Sequence, residues 1–377
     1  MYRSAMRTSL AALTGLTLVL MTFTAPGTSA QRATPAASAV APCTTATAAC
    51  TEFVTLKGGP ARSLIYTTYS LDKVNAAMTR AFILVHGTNR NPDHYFDTAK
   101  AAAFLAGAIN DTVVISPRIA SADGSCKDTL AANEVSWSCG GDSWRSGGNS
   151  PVVKDLSSFD FMDEIVKKLA NKRVFPNLTS VVIAGHSAGG QFANRYSMAN
   201  KIHGTVGVAM SYVVANPSSY AWPDDTRPLP VDDALPENAV GAWKTEDVHT
   251  KFTFGPADVA KCATYNRWPA GMANRTAVNG YTAAMTDAQL TKQLVERPVT
   301  YLLGQVDTLP LGGFDSSCPA MAQGATRRAR GEAFAAFVST KLGAKHSIQI
   351  VSECGHNNRC VFTTDAVFPA IFPPSTK

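Results

Sequence analysis

A chain of 377 residues, 45% hydrophobic and 16% charged, has enough apolar side chains for one large core, which excludes a disordered polyelectrolyte. Its formal net charge of +6 is modest for this length. The one dense basic run is Arg327-Arg328-Ala329-Arg330, which argues against nucleic acid as a partner.

Arg3 and Arg7 precede an apolar stretch over residues 10–23, followed by Pro26-Gly27 and the small residues Thr28-Ser29-Ala30. This is the layout of a secretory signal peptide over residues 1–30, with cleavage after Ala30 and Ala39 as the second choice. The run is short of the roughly 20 residues a membrane span needs, so no stable insertion is expected after cleavage. The expected location is secreted or periplasmic. Residues 31–50, rich in Ala, Thr, Ser and Pro, read as a flexible leader, and residues 51–377 as one domain.

Apolar runs at 63–69 and 81–86 are predicted strands, and 92–108 a helix with Phe96, Ala99, Ala103 and Leu105 near one face. A short strand at 112–116 ends at Pro117. Residues 119–151 form a long irregular stretch bearing Trp137, Trp144, Arg145 and Asn149, expected to border the site or to pack the loop around its own cysteines. Then follow a helix at 157–170, a buried strand at 180–184, a helix at 189–200 and a strand at 206–214. Residues 216–290 break the alternation and read as an insertion over the site, a lid, whose Tyr220 and Trp222 are candidates to line the acyl pocket with Trp144. A strand at 299–303, a helix at 325–342 and a strand at 347–351 complete the pattern. Alternation of this kind predicts an α/β fold with a mainly parallel sheet and helices on both faces. Arg327, Arg328 and Arg330 are expected on a solvated helix face.

The eight cysteines all lie beyond the leader's start: Cys43, Cys50, Cys126, Cys139, Cys262, Cys318, Cys354 and Cys360. An even number in an exported chain points to disulfides. Proximity favours Cys43–Cys50, Cys126–Cys139 and Cys354–Cys360, which leaves Cys262–Cys318. Cys354-Gly355-His356 with Cys360 has a zinc-knuckle look, but no second cluster has matching spacing, so no metal is expected.

Gly185-His186-Ser187-Ala188-Gly189 matches the G-x-S-x-G elbow, in which a tight strand-to-helix turn exposes a nucleophilic serine. It follows the predicted strand and opens the predicted helix, the context the motif needs. A serine hydroxyl is a weak nucleophile and requires a base. Among His203, His249, His346 and His356, only His356 falls in a loop just past the last strand. Asp307 follows the strand before it and is the expected acid, with Asp315 as competitor. The order Ser, Asp, His is that of this elbow. Two backbone N–H groups should hold the oxyanion, that of Ala188 and that of Thr88 in Val85-His86-Gly87-Thr88. This set needs no cofactor.

These residues resemble the α/β-hydrolase superfamily over roughly residues 60–370. More narrowly, the chain looks like a group of secreted bacterial and fungal α/β-hydrolases of the serine-esterase type. The segments carrying that likeness are His86-Gly87-Thr88-Asn89-Arg90-Asn91, Asp142-Ser143-Trp144 with Gly147-Gly148, and Gly185-His186-Ser187-Ala188-Gly189-Gly190-Gln191. Ala215-Asn216-Pro217-Ser218-Ser219-Tyr220 and Gly304-Gln305-Val306-Asp307 complete them. The resemblance implies the α/β-hydrolase fold and the triad. The long Trp- and Gly-containing loop before the elbow departs from the commonest lipase pattern and argues against simple lipid hydrolysis. The expected activity is therefore hydrolysis of a small-molecule or polymeric carboxylic ester through an acyl-enzyme. A peptidase or amidase with the same triad and a non-catalytic binding protein on this scaffold are the alternatives.

Overall fold

The computed structural model describes residues 40–140, 144–230, 252–275 and 280–374. The predicted signal peptide and His249 lie outside them. Eight strands form one sheet: β1 (Thr51–Thr55), β2 (Arg62–Thr67), β3 (Arg80–Val85), β4 (Thr112–Pro117), β5 (Ser180–His186), β6 (Ala209–Ala215), β9 (Val299–Gly304) and β10 (Ser347–Val351). Their spatial order is β1-β2-β4-β3-β5-β6-β9-β10. The two pairings at the β1 edge are antiparallel and the other five are parallel. This is the mainly parallel sheet expected from the alternation of elements, in the arrangement that the α/β-hydrolase resemblance implies.

The central strands are apolar at nearly every position because both faces of the sheet are covered. Side chains alternate along a strand, so β3 and β5 each feed two cores. Ala81, Ile83, Val85, Val181 and Ile183 enter one core, with Phe161 and Ile165 of α2 (Ser158–Leu169) and Phe192 and Tyr196 of α3 (Ala188–Ala199). Phe82, Leu84, Val182 and Ala184 enter the other, with Phe96 and Ala99 of α1 (Pro92–Leu105). α2 starts where the sequence dictates: Ser157 accepts the Asp160 N–H and Asp160 accepts the Ser157 N–H, a reciprocal capping box. Each partner satisfies a donor that the first helical turn leaves open.

Two regions differ from the sequence expectation. β1 falls where no strand was predicted, and its pairing with β2 rather than its own pattern defines it. Just before it, the end of the expected flexible leader is fastened to the domain. The Cys43 N–H donates to Thr68 O at 2.7 Å, Cys43 bonds to Cys50, and Cys50 is buried. The described parts of 216–290 include an antiparallel hairpin, β7 (Thr226–Pro230) with β8 (Phe252–Pro256). Helix α4 (Asp287–Glu296) closes this region, capped by the Thr286–Gln289 pair.

Asp163 on α2 is buried and accepts hydrogen bonds from Tyr196 Oη at 2.6 Å and Tyr281 Oη at 2.7 Å, tying α2 and α3 to the segment before α4. Burial pushes its carboxyl up to about 6, against the lowering effect of the two phenols. A carboxyl raised in the folded state holds its proton more tightly folded than unfolded. Its stabilising contribution is thus full below about pH 4 and lost as pH rises through about 6. Urea unfolding between pH 4 and 7 should show wild type losing on the order of 2–3 kcal/mol across this window relative to Asp163→Asn, which cannot ionise. Parallel curves for the two proteins would contradict it.

Candidate active site

β5 runs into α3 through Ser187, whose backbone is held at φ 59° and ψ −119°. That left-handed φ is strained for a residue bearing a Cβ. The turn is tight because α3 presses back on the sheet. A Cβ on Gly185 would lie 2.0 Å from Gly189 O, and one on Gly189 would lie 2.2 Å from Val85 O. Only glycine fits either position. The turn leaves Ser187 Oγ facing a cavity of about 260 Å³, at the carboxyl ends of the parallel strands.

His356 reaches Ser187 from the loop after β10. Its Nε2 lies 3.0 Å from Ser187 Oγ and its Nδ1 lies 2.8 Å from Asp307 Oδ2. A carboxylate can only accept, so Nδ1 carries the proton and Nε2 is left to accept the serine hydroxyl. Asp307 stands just past β9 and is buried. Thr88 lines the same cavity, and a Cβ on Gly87 would lie 2.7 Å from Tyr95 Oη and 3.6 Å from the Ser187 Cβ. Ala188 is the first residue of α3, where backbone N–H groups lack intrahelical acceptors. Two of the other candidate bases lie elsewhere. His346 binds Tyr301 Oη and Leu294 O, and His203 binds Tyr212 Oη. Asp315 accepts the Ser317 N–H, and among the described residues it is Asp307 that bonds to His356.

Two buried imidazoles frame this set in their neutral form. His86 accepts the Ile119 N–H on Nε2 and donates through Nδ1 to Gly87 O, which props the loop carrying Thr88. Burial pulls its pKa down to about 4. The His186 ring lies 4.7 Å from that of His356, and burial, then His356 and Arg327, hold it far below the usual range.

The candidate substrate-lining residues are placed differently from expectation. Trp144 is buried against His86, with ring centres 5.2 Å apart, and lies within the core rather than on the cavity wall. Trp137 stacks on Phe161. Tyr220 stacks on Phe334 at 4.6 Å, and Trp222 meets Phe337 at 4.8 Å. Both are fully buried. Large aromatic surfaces gain more by packing under a helix than by lining a wet cavity, so these side chains became core. All four expected cysteine pairs are joined: Cys43–Cys50, Cys126–Cys139, Cys262–Cys318 and Cys354–Cys360.

Helix α6 (Arg327–Thr340) follows the short helix α5 (Cys318–Met321), and its basic residues are not on a solvated face. Arg327 and Arg330 are fully buried and Arg328 nearly so. Irregular chain beside the helix supplies backbone carbonyls as acceptors, which makes burial of the cations tolerable. Arg328 donates to Gln305 O, and Arg330 donates to Ser218 O and Gly324 O. Arg327 Nη1 lies 3.5 Å from Asp307 Oδ1, while its other nitrogens bind Ser218 Oγ and Gly312 O, both at 2.9 Å. Burial lowers its pKa and Asp307 opposes that fall. Asp307 is thus held between His356 and Arg327. Asn216, just past β6, also escaped sequence reading. Its Oδ1 accepts the Gly304 N–H and its Nδ2 donates to Gly355 O, joining the strand before Asp307 to the loop of His356. An asparagine at a strand end and an arginine on a helix carry no local signal of such roles.

Residues 82–368 match the sequence signature of the Alpha/beta hydrolase family, and the chain belongs to that family. It is a hydrolase. Poly(aspartic acid) hydrolase-1 from Sphingomonas sp. KT-1 is similar in structure, with TM-score 0.53 and 21% identity over 82% of this chain and 95% of that one. So is LpqC, a poly(3-hydroxybutyrate) depolymerase from Bordetella parapertussis, with TM-score 0.50 and 19% identity over 82% and 83% of the two chains. At these identities the likeness shows the fold alone. No curated protein matches the sequence.

Breaking a buried ion pair leaves an uncompensated charge, so Arg327→Met should destabilise the fold by about 3–5 kcal/mol. A solvated arginine would change stability by less than about 0.5 kcal/mol, and denaturant unfolding separates the two. Opening the Cys354–Cys360 loop with the Cys354→Ser, Cys360→Ser pair should cost about 2 kcal/mol and lower activity, because the loop carries His356. Unchanged melting temperature and turnover would contradict that.

Proposed function

We propose that this hydrolase is a serine enzyme that cleaves carboxylic esters through an acyl-enzyme, with Ser187, His356 and Asp307 as its triad. One observation carries the reading: a single imidazole bridges Ser187 Oγ and the Asp307 carboxylate at 3.0 Å and 2.8 Å. Such a relay raises the nucleophilicity of a hydroxyl otherwise inert at neutral pH.

In this mechanism Ser187 Oγ attacks the ester carbonyl carbon while His356 Nε2 takes its proton. Asp307 holds the tautomer and stabilises the imidazolium. The oxyanion is received by the N–H groups of Thr88 and Ala188, the latter aided by the positive end of α3. Collapse breaks the C–O bond, and the alcohol leaves with the proton from His356. Water then attacks the acyl-Ser187 carbonyl, giving a proton to His356. The second collapse releases the acid and returns that proton to Ser187 Oγ. Neutral His186 beside His356 adds no competing positive charge. The substrate is a small-molecule or polymeric ester. Export to the secreted or periplasmic space is part of the proposal, supported by four disulfides, which persist in oxidising compartments.

Ser187→Ala should lower turnover of p-nitrophenyl acetate by at least about 10³-fold, and a fluorophosphonate probe should label Ser187 in the wild-type chain. Retained turnover in the variant would overturn the assignment. A matched panel of esters and peptides tests the bond type, with higher kcat/KM expected on the esters.

A further inference from the structure

Glycines and polar side chains line the cavity in front of Ser187. Thr88, Asn89, Asn91, His94, Tyr95 and Asn357 line it, together with Asn358, the triad residues Ser187 and His356, His186, and the glycines at 87, 312 and 313. Among the described residues the lining holds no aliphatic side chain, Phe, Trp, Met, carboxylate, Lys or Arg. Small-molecule sites are ordinarily lined mostly by hydrophobic and aromatic side chains. The large aromatics that sequence reading offered for this purpose are in the core instead.

Two of the lining amides are unspent. Asn91 sits at the N-cap of α1, where asparagine usually bonds to the first helical turn, yet its side chain makes no capping bond. Asn89 and Asn91 have no side-chain hydrogen-bond partner among the described residues, and both face the cavity from the loop that carries Thr88. By contrast Asn358 is engaged, with Oδ1 3.3 Å from His94 Nε2 and Nδ2 donating to Thr98 Oγ1. The cavity wall therefore presents two free amides beside the nucleophile, each able both to donate and to accept.

We propose that the substrate is a short-chain acyl ester of an uncharged polyhydroxylated alcohol, a sugar or polyol, whose hydroxyl groups are read by Asn89 and Asn91. This rests on the serine-esterase reading above. Magnitudes favour it over a fatty ester. An alkyl chain gains about 0.8 kcal/mol per buried methylene only against apolar surface. Here it would strip water from two amides, at about 1–3 kcal/mol each, without replacing their hydrogen bonds. A hydroxyl-bearing substrate replaces the lost water and adds orientation. The absence of fixed charge on the described wall disfavours an anionic or cationic substrate, which would have to shed its hydration without an ionic partner.

The test compares three esters with the full chain: a methyl glycoside monoacetate, hexyl acetate and glycerol monooctanoate. The first two form the same acetyl-enzyme, so their difference reports the alcohol side. The sugar acetate should exceed each of the others in kcat/KM by at least tenfold. Asn89→Ala, Asn91→Ala should shrink the ratio of sugar acetate to hexyl acetate at least fivefold, with folding checked by circular dichroism melting. Equal or higher kcat/KM on hexyl acetate or the octanoate overturns the proposal, as does an unchanged ratio in the double variant. Failure of any ester to turn over, in a chain whose Ser187 is labelled by a fluorophosphonate, overturns the substrate class and leaves the serine nucleophile standing. Hydrolysis that survives Ser187→Ala instead removes the serine-esterase reading itself.

Discussion

The crossing of β3, β5 and the first turn of α3 is the constraint on which the rest depends. Gly189 sits so close to Val85 O, and Gly185 to Gly189 O, that no side chain fits between helix and sheet. The chain can make this turn only by placing Ser187 in a left-handed conformation, which costs on the order of 1–3 kcal/mol. Both flanking elements are buried along their length, β5 between two cores and α3 at every residue, so the surrounding packing overrides that local cost. The reward is positional. The serine oxygen stands clear of the sheet, and the N-terminus of α3 points its open N–H groups beside it.

Asp307 and His356 are delivered by loops, and loops need fastening. Asn216 bonds to Gly304 and Gly355, Arg328 to Gln305, and the Cys354–Cys360 bridge closes the segment around His356. Arg327 does the most: one guanidinium joins Asp307, Ser218 and Gly312. Gly312 in turn faces His356 across the cavity, where a Cβ would come within 3.1 Å of the ring. The buried cation therefore lies beside the carboxylate and holds the edge of the cavity. Its presence beside the acid also means that the carboxylate is shared between two partners, a guanidinium and an imidazole.

Much of the candidate site was legible in the sequence for local reasons. The elbow is a short contiguous motif whose glycines are demanded by geometry within five residues. The places of Asp307 and His356 follow from the order of strands, because active residues in open α/β sheets stand at the carboxyl ends of strands. Capping signals and apolar periodicity marked α2 and the central strands. The edge strand β1 was not visible, since it is recognised by its pairing with β2 and has a mixed burial pattern. The arginines of α6 misled because a basic helix face is ordinarily solvated, and nothing local announces that backbone carbonyls of distant loops will meet it.

What the sequence by itself determined is the chemistry of short-range constraint: the α/β alternation, the strained serine turn, the cysteine pairs near in sequence, and the candidates for acid and base. Only the tertiary structure decided which aromatic residues became core, which cations were buried, and what faces the cavity. The reason is physical. A motif is fixed by backbone sterics over a few residues, whereas burial depends on which surfaces the whole chain brings together. Tyr220 and Trp222 went to the interior because α6 covers them, and Trp144 because it packs against His86. The wall around Ser187 was left to glycines and to hydroxyl, amide and imidazole side chains, mostly from the loops after β3, β9 and β10 and the start of α1.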